Sequence, residues 1–232
     1  MLACRAVLFD LDGTLVDAVP DLADATRAML AELGEPPRSD EEVGRFIGKG
    51  LGVLVERALT VDRPPVDQAR LDAALAVFKR HYAAVNGRRA FAYPHARETL
   101  QTLHARGFSL ACVTNKAAEF TEPLLRQLGL AEFLDAIVSG DTLPQKKPQP
   151  EPLWHACEQL GIAAADAVMV GDSANDAQAA HAAGIRLVLV SYGYSEGQPV
   201  DSIPCDRLVS ALAELTGLFG PEPGSSVKAS CD

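Results

Sequence analysis

Short, continuous apolar runs recur along the chain, and each is followed by polar residues or glycine. Uninterrupted apolar runs bounded in this way are typical of strands that are buried on both faces of a parallel sheet. The predicted strands cover residues 6–9, 110–113, 167–170 and 187–190, with 136–138 as a weaker fifth.

Helical patterns separate the later strands, because apolar residues there recur every three or four positions. Each pattern ends at a glycine, as helix C-termini favour. The alternation of strand and helix predicts a doubly wound α/β sheet, in which ligands bind at the carboxyl ends of the strands. The four patterns begin near Ala96, Phe120, Leu153 and Ala174 and end near Gly107, Gly129, Gly161 and Gly184.

A long interval between the first two strands contains helical patterns and no convincing strand. Helices are predicted over residues 20–33, 51–59 and 66–85. We therefore expect an α-helical cap over residues 16–87, inserted into a core formed by residues 1–15 and 88–219. Residues 220–232, which are rich in glycine, proline and serine, are expected to be a disordered tail.

Composition narrows the class of protein. The 232 residues are 48% hydrophobic and 22% charged, as in a globular protein. No apolar run is long enough to cross a membrane. The 31 acidic residues exceed the 21 Lys and Arg, and the basic residues are not clustered, so no nucleic-acid partner is expected. Five widely spaced cysteines and the absence of a signal-like N-terminus predict a cytoplasmic protein.

The strongest chemical signal is the segment Asp10-Leu11-Asp12-Gly13-Thr14, directly after the first strand. Taken alone, Asp and Gly could simply form a turn. Three further polar elements, however, follow later strands. They are Thr114-Asn115, Lys147-Pro148, and the run from Gly171 to Asp176.

Together these elements resemble the haloacid dehalogenase (HAD) superfamily, specifically its phosphatases with a helical cap and a Rossmann-like core. The branch most similar in pattern is that of the phosphoglycolate phosphatases. Its features here are Asp10 to Asp17, Phe46 to Gly50, Thr114-Asn115-Lys116 and Gly140 to Pro148. The resemblance implies an Mg²⁺-dependent phosphatase acting on a small phosphorylated metabolite, with 2-phosphoglycolate as the first candidate.

The resemblance also implies roles for the two acids of the first motif. Asp10 would be the nucleophile that forms an aspartyl phosphate, which divides one difficult step into two. Asp12 would be the general acid for the leaving alkoxide and then the general base for water. Asp10 and the backbone carbonyl of Asp12 would also be metal ligands.

Asp172 is expected to complete the metal site, with Asp176 as a second ligand or as a partner that orients the ligands. Ligation by oxygen alone suits Mg²⁺ better than zinc. Alternatively, the two acids could serve only the N-terminus of the helix that begins near Ser173.

Phosphate binding is expected from Thr114, Asn115 and Lys147. The first two could donate hydrogen bonds to phosphoryl oxygens, although capping of the next helix would explain them as well. Lys147 would bring a positive charge between the nucleophile and the phosphate, and its position before Pro148 favours it over Lys146. In the insert, Gly48 and Lys49 match the family's cap loop that faces the substrate, or form a simple turn between helices.

The sequence is also compatible with other functions. A sugar or sugar-acid 6-phosphate such as N-acetylmuramic acid 6-phosphate, a nucleotide or pyrophosphate could be the substrate, and a hexose-phosphate mutase shares the Asp pair. A receiver-like module that accepts phosphate without turnover is the alternative from another class. His95 stands where the family usually has Gly and could face the substrate.

Overall fold

The computed structural model describes residues 1–61 and 64–220 and contains the predicted alternation of strands and helices. In chain order the strands are β1 (Leu2–Ala3), β2 (Ala6–Phe9), β3 (Val16–Asp17), β4 (Phe91–Ala92), β5 (Ser109–Val113), β6 (Ala136–Val138), β7 (Ala167–Gly171), β8 (Arg186–Val190), β9 (Arg207–Val209) and β10 (Phe219–Gly220). The α-helices are α1 (Val19–Glu32), α2 (Asp40–Phe46), α3 (Leu51–Thr60), α4 (Gln68–Val85), α5 (Ala96–Ala105), α6 (Ala118–Gln127), α7 (Glu151–Leu160), α8 (Ala174–Ala183) and α9 (Leu215–Leu218).

Six strands form one parallel sheet in the order β6-β5-β2-β7-β8-β9. All four residues of β2 are buried, because this strand lies in the middle of the sheet with helices on both faces. Side chains alternate along a strand, so Val7 and Phe9 join one apolar cluster with α5 and α6. Ala6 and Leu8 join a second cluster with α7 and α8. The doubly wound α/β fold is therefore confirmed.

Helices α1 to α4 form the insert between β2 and β5. Their apolar faces pack on one another, with α1 against α4 and α2, and with α3 against α4. Met29 and Phe78 are fully buried in this bundle. The predictions over 20–33, 51–59 and 66–85 correspond to α1, α3 and α4.

The two connections between the insert and the sheet lie side by side. β3 and β4 pair antiparallel, with Val16 opposite Ala92. The outgoing and returning chain are also joined by Asp21 of α1, which is fully buried. Its carboxylate accepts backbone N–H bonds from Gly87, Arg89 and Ala90 at 2.7, 2.8 and 3.1 Å. The insert is thus fastened to the core at its base.

Several elements differ from the sequence prediction or lie beyond it. Helix α2 was not predicted, because only Val43 and Phe46 of its seven residues are buried and so few apolar positions show no period. Strand β9 was also missed, since only Val209 of its three residues is buried. Gly220 belongs to β10, whereas residues 221–232 of the expected tail lie outside the described residues. Among the helices described, none has the length and apolar character needed to cross a membrane.

Candidate active site

The carboxyl ends of three neighbouring strands bring the predicted residues together. Asp10 directly follows β2, Thr114 follows β5 and Asp172 follows β7. The three strands are adjacent and parallel, in the order β5-β2-β7, so their ends meet at one edge of the sheet. Lys147 reaches the same place from the loop before α7.

Lys147 lies between two of the carboxylates. Its Nζ atom is 2.7 Å from Oδ1 of Asp10 and 2.7 Å from Oδ1 of Asp176. Although burial alone would favour the neutral amine, these two carboxylates raise the pKa of Lys147 above its ordinary value, so it remains charged. Lys146 is exposed. The structure therefore places Lys147, not its neighbour, against Asp10.

Asp10, Asp172 and Asp176 form a buried cluster in which oxygen atoms of all three lie within 4.8 Å of one another. With Lys147 as the cation in contact, the cluster carries a net charge of −2 when all groups are ionised. Burial, aided by the charge of Asp176, raises the pKa of Asp10 to about 7 despite Lys147. Burial, together with the charges of Asp176 and Asp10, raises the pKa of Asp172. A buried set of oxygen ligands with this charge could hold a metal ion.

The carboxylate of Asp172 is held by the loop that follows β8 and by the first motif. Its Oδ2 atom accepts the backbone N–H of Tyr194 at 2.7 Å, and its Oδ1 atom accepts the hydroxyl of Thr14 at 3.3 Å. Gly13 has a φ of 97°, and the Asp172 side chain occupies the space that a Cβ there would need. The first motif therefore requires glycine both for its backbone angle and for room beside the Asp172 carboxylate.

Asp176 contacts both Lys147 and the N-terminus of α8. Its Oδ1 atom contacts Lys147, whereas its Oδ2 atom accepts bonds from the hydroxyl and the backbone N–H of Ser173 at 2.7 and 3.1 Å. The same Oδ2 atom accepts the backbone N–H of Asp172 at 3.2 Å. Both oxygens are therefore occupied by donors, and Asp176 caps α8 while it orients Lys147.

Asp12 pairs with Lys116, a residue to which the sequence assigned no individual role. Nζ of Lys116 lies 3.1 Å from both carboxylate oxygens of Asp12 and 2.6 Å from the hydroxyl of Tyr82 in α4. Burial opposes the charged ammonium, but Asp12 and Tyr82 raise the pKa of Lys116 above its ordinary value. Lys116 belongs to the Thr114-Asn115-Lys116 segment, so the motif contained it, but no pattern indicated its partners.

The two predicted phosphate ligands of the β5 loop differ in what they can offer. The Thr114 hydroxyl accepts the backbone N–H of Lys116 at 3.2 Å, so its own proton is left to donate. The amide nitrogen of Asn115 donates to the carbonyls of Gly48 and Lys147 at 2.8 Å each, and its oxygen accepts the Lys147 N–H at 3.0 Å. The Asn115 side chain therefore joins the insert to the Lys147 loop, and its amide nitrogen already donates two hydrogen bonds.

A pocket opens between these strand ends and the start of α3. It encloses about 380 Å³, including open solvent at its mouth. The loop around Gly48 and Gly50 contributes to its wall, whereas the neighbouring Lys49 is exposed. The lining residues are Asp10, Asp12, Ile47, Gly48, Gly50, Leu51, Leu54, Thr114, Asn115 and Lys116.

His95 occupies a left-handed backbone position at the N-terminus of α5, with φ 66° and ψ 7°. Its side chain is exposed. Glycine adopts this conformation without the steric cost that a Cβ brings. The backbone geometry at His95 therefore favours glycine at this position.

Comparison with known proteins gives consistent matches over most of the chain. The phosphoglycolate phosphatase of Nitrosospira multiformis is 49% identical over 220 residues, covering 94% of this chain and 96% of that protein. That of Thiobacillus denitrificans is 46% identical, covering 92% and 94%. The crystal structure of a predicted phosphoglycolate phosphatase from Haemophilus somnus is 31% identical, with a TM-score of 0.88, and covers 94% and 99%.

The match to a family profile agrees with the fold, with the cluster of acids at the strand ends and with these similarities. Residues 7–190 match the family described as haloacid dehalogenase-like hydrolase. This span includes the insert and every acidic, hydroxyl and amino group placed at the candidate site. The chain therefore belongs to the haloacid dehalogenase-like hydrolases.

Proposed function

We propose that this protein is an Mg²⁺-dependent phosphatase that hydrolyses 2-phosphoglycolate to glycolate and phosphate. The observation that carries the reaction is the position of Lys147, at 2.7 Å from Asp10, beside two further buried carboxylates. The substrate is taken from relatives named phosphoglycolate phosphatase that are 41–49% identical over most of the chain. The pocket is lined by Asp10, Asp12 and Thr114, which are the groups assigned to the reaction.

Asp10 is the proposed nucleophile. Its carboxylate attacks phosphorus, a bond forms from the carboxylate oxygen to phosphorus, and the bond from phosphorus to the ester oxygen breaks. Lys147 contacts Asp10 at 2.7 Å, so its charge reduces the repulsion between the incoming phosphate and the carboxylate. The product of this step is an aspartyl phosphate.

Asp12 is the proposed general acid and base. It gives a proton to the leaving ester oxygen, and then takes a proton from the water that attacks the aspartyl phosphate. The second step breaks the bond between Asp10 and phosphorus and releases inorganic phosphate. Lys116, at 3.1 Å from both carboxylate oxygens, holds the Asp12 side chain in place.

Phosphoryl oxygens would be bound by Thr114, Asn115 and Lys147. The Thr114 hydroxyl retains a proton to donate, and Asn115 offers its backbone N–H. Each donor sits on a strand end or on a loop tied to one, so the geometry is set before the substrate arrives. Pre-positioned donors of this kind stabilise the charge of the transition state.

The donor set fits Mg²⁺, because the ligand atoms are all oxygens and the buried cluster has a charge of −2. Asp10, Asp172 and the Asp12 carbonyl would hold the ion. Asp176 would be a further ligand or the partner that orients the others, and its contacts to Lys147 and Ser173 support the second role. The ion supplies charge neutralisation and polarises phosphoryl oxygens when bound.

We also propose the division of the chain into a catalytic core (1–15 and 88–219) and a cap (16–87), with Gly48 and Lys49 in the loop that faces the substrate. The pairing of β3 with β4 supports this division, because it brings the two connections together. A cytoplasmic location is supported by the four described cysteines, which are all free thiols.

The reaction is tested by phosphate release from p-nitrophenyl phosphate, with and without Mg²⁺. We expect many turnovers per protein molecule in Mg²⁺ and none after chelation. Asp10→Asn should abolish turnover while circular dichroism shows an unchanged fold. A single stoichiometric release would indicate the receiver-like alternative instead.

The substrate is tested by comparing kcat/KM for 2-phosphoglycolate with values for sugar 6-phosphates, N-acetylmuramic acid 6-phosphate, nucleotides and pyrophosphate. We expect 2-phosphoglycolate to have the highest value. A tenfold preference for a sugar phosphate would overturn the substrate but not the reaction. Conversion between hexose phosphates without phosphate release would indicate a mutase.

A further inference from the structure

Lys116 is a buried cation, and the proposed phosphoryl-transfer steps explain only in part why a charged residue is buried there. Its side chain is 1% exposed, and its ammonium contacts Asp12 and Tyr82. Removing an ammonium from water is costly even when a carboxylate pairs with it. The charge beside the nucleophile is already supplied by Lys147. Positioning of Asp12 could also be achieved by a neutral donor.

The position of Lys116 in the pocket indicates which group of a ligand its charge can attract. Of the described residues that line the pocket, Lys116 alone is positively charged. The wall contributed by the insert near it is apolar, with Ile47, Leu51 and Leu54. An anionic group that enters beyond the phosphate therefore meets Lys116 as the buried cation of the wall, whereas the ammonium of the exposed Lys146 lies beside Gly50, 3.7 Å from where a Cβ would stand.

The proposed reaction fixes where the rest of the substrate lies. The leaving ester oxygen must be within hydrogen-bond reach of Asp12, because Asp12 protonates it. In 2-phosphoglycolate the carboxylate carbon is only two bonds beyond that oxygen. Without a cation nearby, the substrate carboxylate would meet the Asp12 carboxylate as a like charge.

We propose that Lys116 recognises the carboxylate of the substrate and thereby sets the preference of this enzyme for phosphate esters of small hydroxy acids. The inference rests on the proposed phosphatase function. An ammonium has three N–H donors. All three have acceptors, the two Asp12 oxygens at 3.1 Å and the Tyr82 hydroxyl at 2.6 Å, so the substrate carboxylate would replace one of the two longer contacts to Asp12.

Tyr82 is the positioning residue for this ammonium. Its hydroxyl lies 2.6 Å from Nζ, and its ring packs on Phe78 of the same helix and on Phe120 of α6, with centroids 5.6 and 4.7 Å apart. Lys116 also lies over the Tyr82 ring, 5.0 Å from its centroid. The insert thus fixes a core lysine at the bottom of the pocket.

The test compares two substrates that differ in this one charge, 2-phosphoglycolate and its neutral amide, 2-phosphoglycolamide. The quantity measured is the ratio of their kcat/KM values. We expect the unmodified enzyme to prefer the carboxylate strongly, and Lys116→Met to reduce the ratio by about tenfold or more. Loss of Asp12 positioning affects both substrates alike, but an Asp12 carboxylate without its cation would repel only the charged one. We therefore also measure Kd for both compounds with Asp12→Asn and with Asp12→Asn/Lys116→Met, which lack that repulsion, and expect the preference for the carboxylate to fall about tenfold between the two.

Three further variants keep the test decisive. Lys116→Gln retains hydrogen-bonding capacity toward Asp12 and Tyr82 without the charge, so it is expected to fold and to show the same fall in ratio. Tyr82→Phe keeps the ring packing and should lower the ratio by only a few fold. Lys79→Met removes an exposed cap lysine that pairs with Glu119 at 2.8 Å and should leave the ratio unchanged.

The outcomes separate this inference from the proposed function. If both Lys116 variants turn over the two substrates with the unmodified ratio, Lys116 only positions Asp12 and the inference is wrong. If the unmodified enzyme has a ratio near one while it still hydrolyses phosphate esters with Mg²⁺, both the carboxylate recognition and the phosphoglycolate assignment fail. The phosphatase reaction would stand in either case.

Discussion

The ammonium of Lys147 lies 2.7 Å from Oδ1 of Asp176, a residue of α8 that is itself 1% exposed. Because the second oxygen of Asp176 caps the same helix, one carboxylate fixes both the lysine beside the nucleophile and the start of α8. Lys147 is therefore oriented from two sides, by Asp10 and by Asp176.

Asp176→Asn is expected to lower kcat/KM for p-nitrophenyl phosphate by about 100-fold and to destabilise the fold by about 1–3 kcal/mol. An amide has one oxygen, so its NH₂ group must face either Lys147 or the donors of Ser173. Steady-state kinetics and urea unfolding measure the two effects.

Ser173→Ala is the matched control for this change. It removes the hydroxyl bond to Asp176 and keeps the Lys147 contact, so we expect a loss of about 1 kcal/mol with kcat/KM within threefold. Equal loss of activity in both variants would contradict the role assigned to the Lys147 contact.

Metal-free protein is expected to become less stable as pH rises from 5 to 7. Burial raises the pKa of Asp10 from 3.8 to about 7, so in this range the folded state keeps a proton that the unfolded state loses. Stability then falls by up to about 1.4 kcal/mol per pH unit. Urea unfolding in a chelator at pH 5, 6 and 7 measures this slope.

The same experiment on Asp10→Asn should give a flatter dependence on pH, because that variant has no proton to lose at this position. Saturating Mg²⁺ should restore stability at pH 7 by binding the folded state. A metal-free stability that rises between pH 5 and 7 would be inconsistent with the acidic cluster as described.

Asp21→Asn is expected to destabilise the protein by about 2–3 kcal/mol, since three backbone N–H groups of the returning connection depend on this carboxylate. The NH₂ group of an amide at this position would face at least one of these backbone N–H groups, and two donors cannot form a hydrogen bond. Asp24→Asn, on the same helix, removes a surface partner of Arg27 and Arg89 and should cost less than about 1 kcal/mol. Urea unfolding of both variants checks the difference.

His95→Val is expected to destabilise the fold by about 1–2 kcal/mol, because a β-branched residue must adopt a left-handed conformation there. His95→Gly should stay within about 0.5 kcal/mol of the unmodified protein, since relief of strain offsets the added freedom of the unfolded chain. Both variants should retain kcat/KM within twofold. A large change in substrate preference in His95→Gly would show that His95 faces the substrate after all.

Five of the six strands of the large sheet and most helices could be predicted, because buried parallel strands are uninterrupted apolar runs and long amphipathic helices show a clear period. The proximity of Asp10, Thr114 and Asp172 could be predicted, because each residue directly follows a strand of the same parallel sheet. The order of the strands in the sheet could not be predicted, because an apolar run does not indicate which other strand it pairs with. Helix α2 did have a usable signal, the capping box of Ser39 and Glu42, although its apolar pattern was too short.

The contacts of Lys116 and Asn115 could not be predicted, because each depends on side chains brought together by tertiary packing. Lys116 meets Tyr82 from 34 positions earlier in the chain and Asp12 from 104 positions earlier. The Asn115 side chain points at Gly48 and Lys147, whereas the motif alone suggested the phosphate. A motif identifies the residue, but only the fold gives its direction.

The antiparallel pairing of Val16 with Ala92 has a consequence for the evolution of new specificities. The polypeptide leaves and re-enters the sheet at adjacent points, so everything between them can be exchanged as a module, or shortened to a tight hairpin turn, without altering the order of the six strands. The acids at the strand ends would keep their places while a different module brought a different substrate to them.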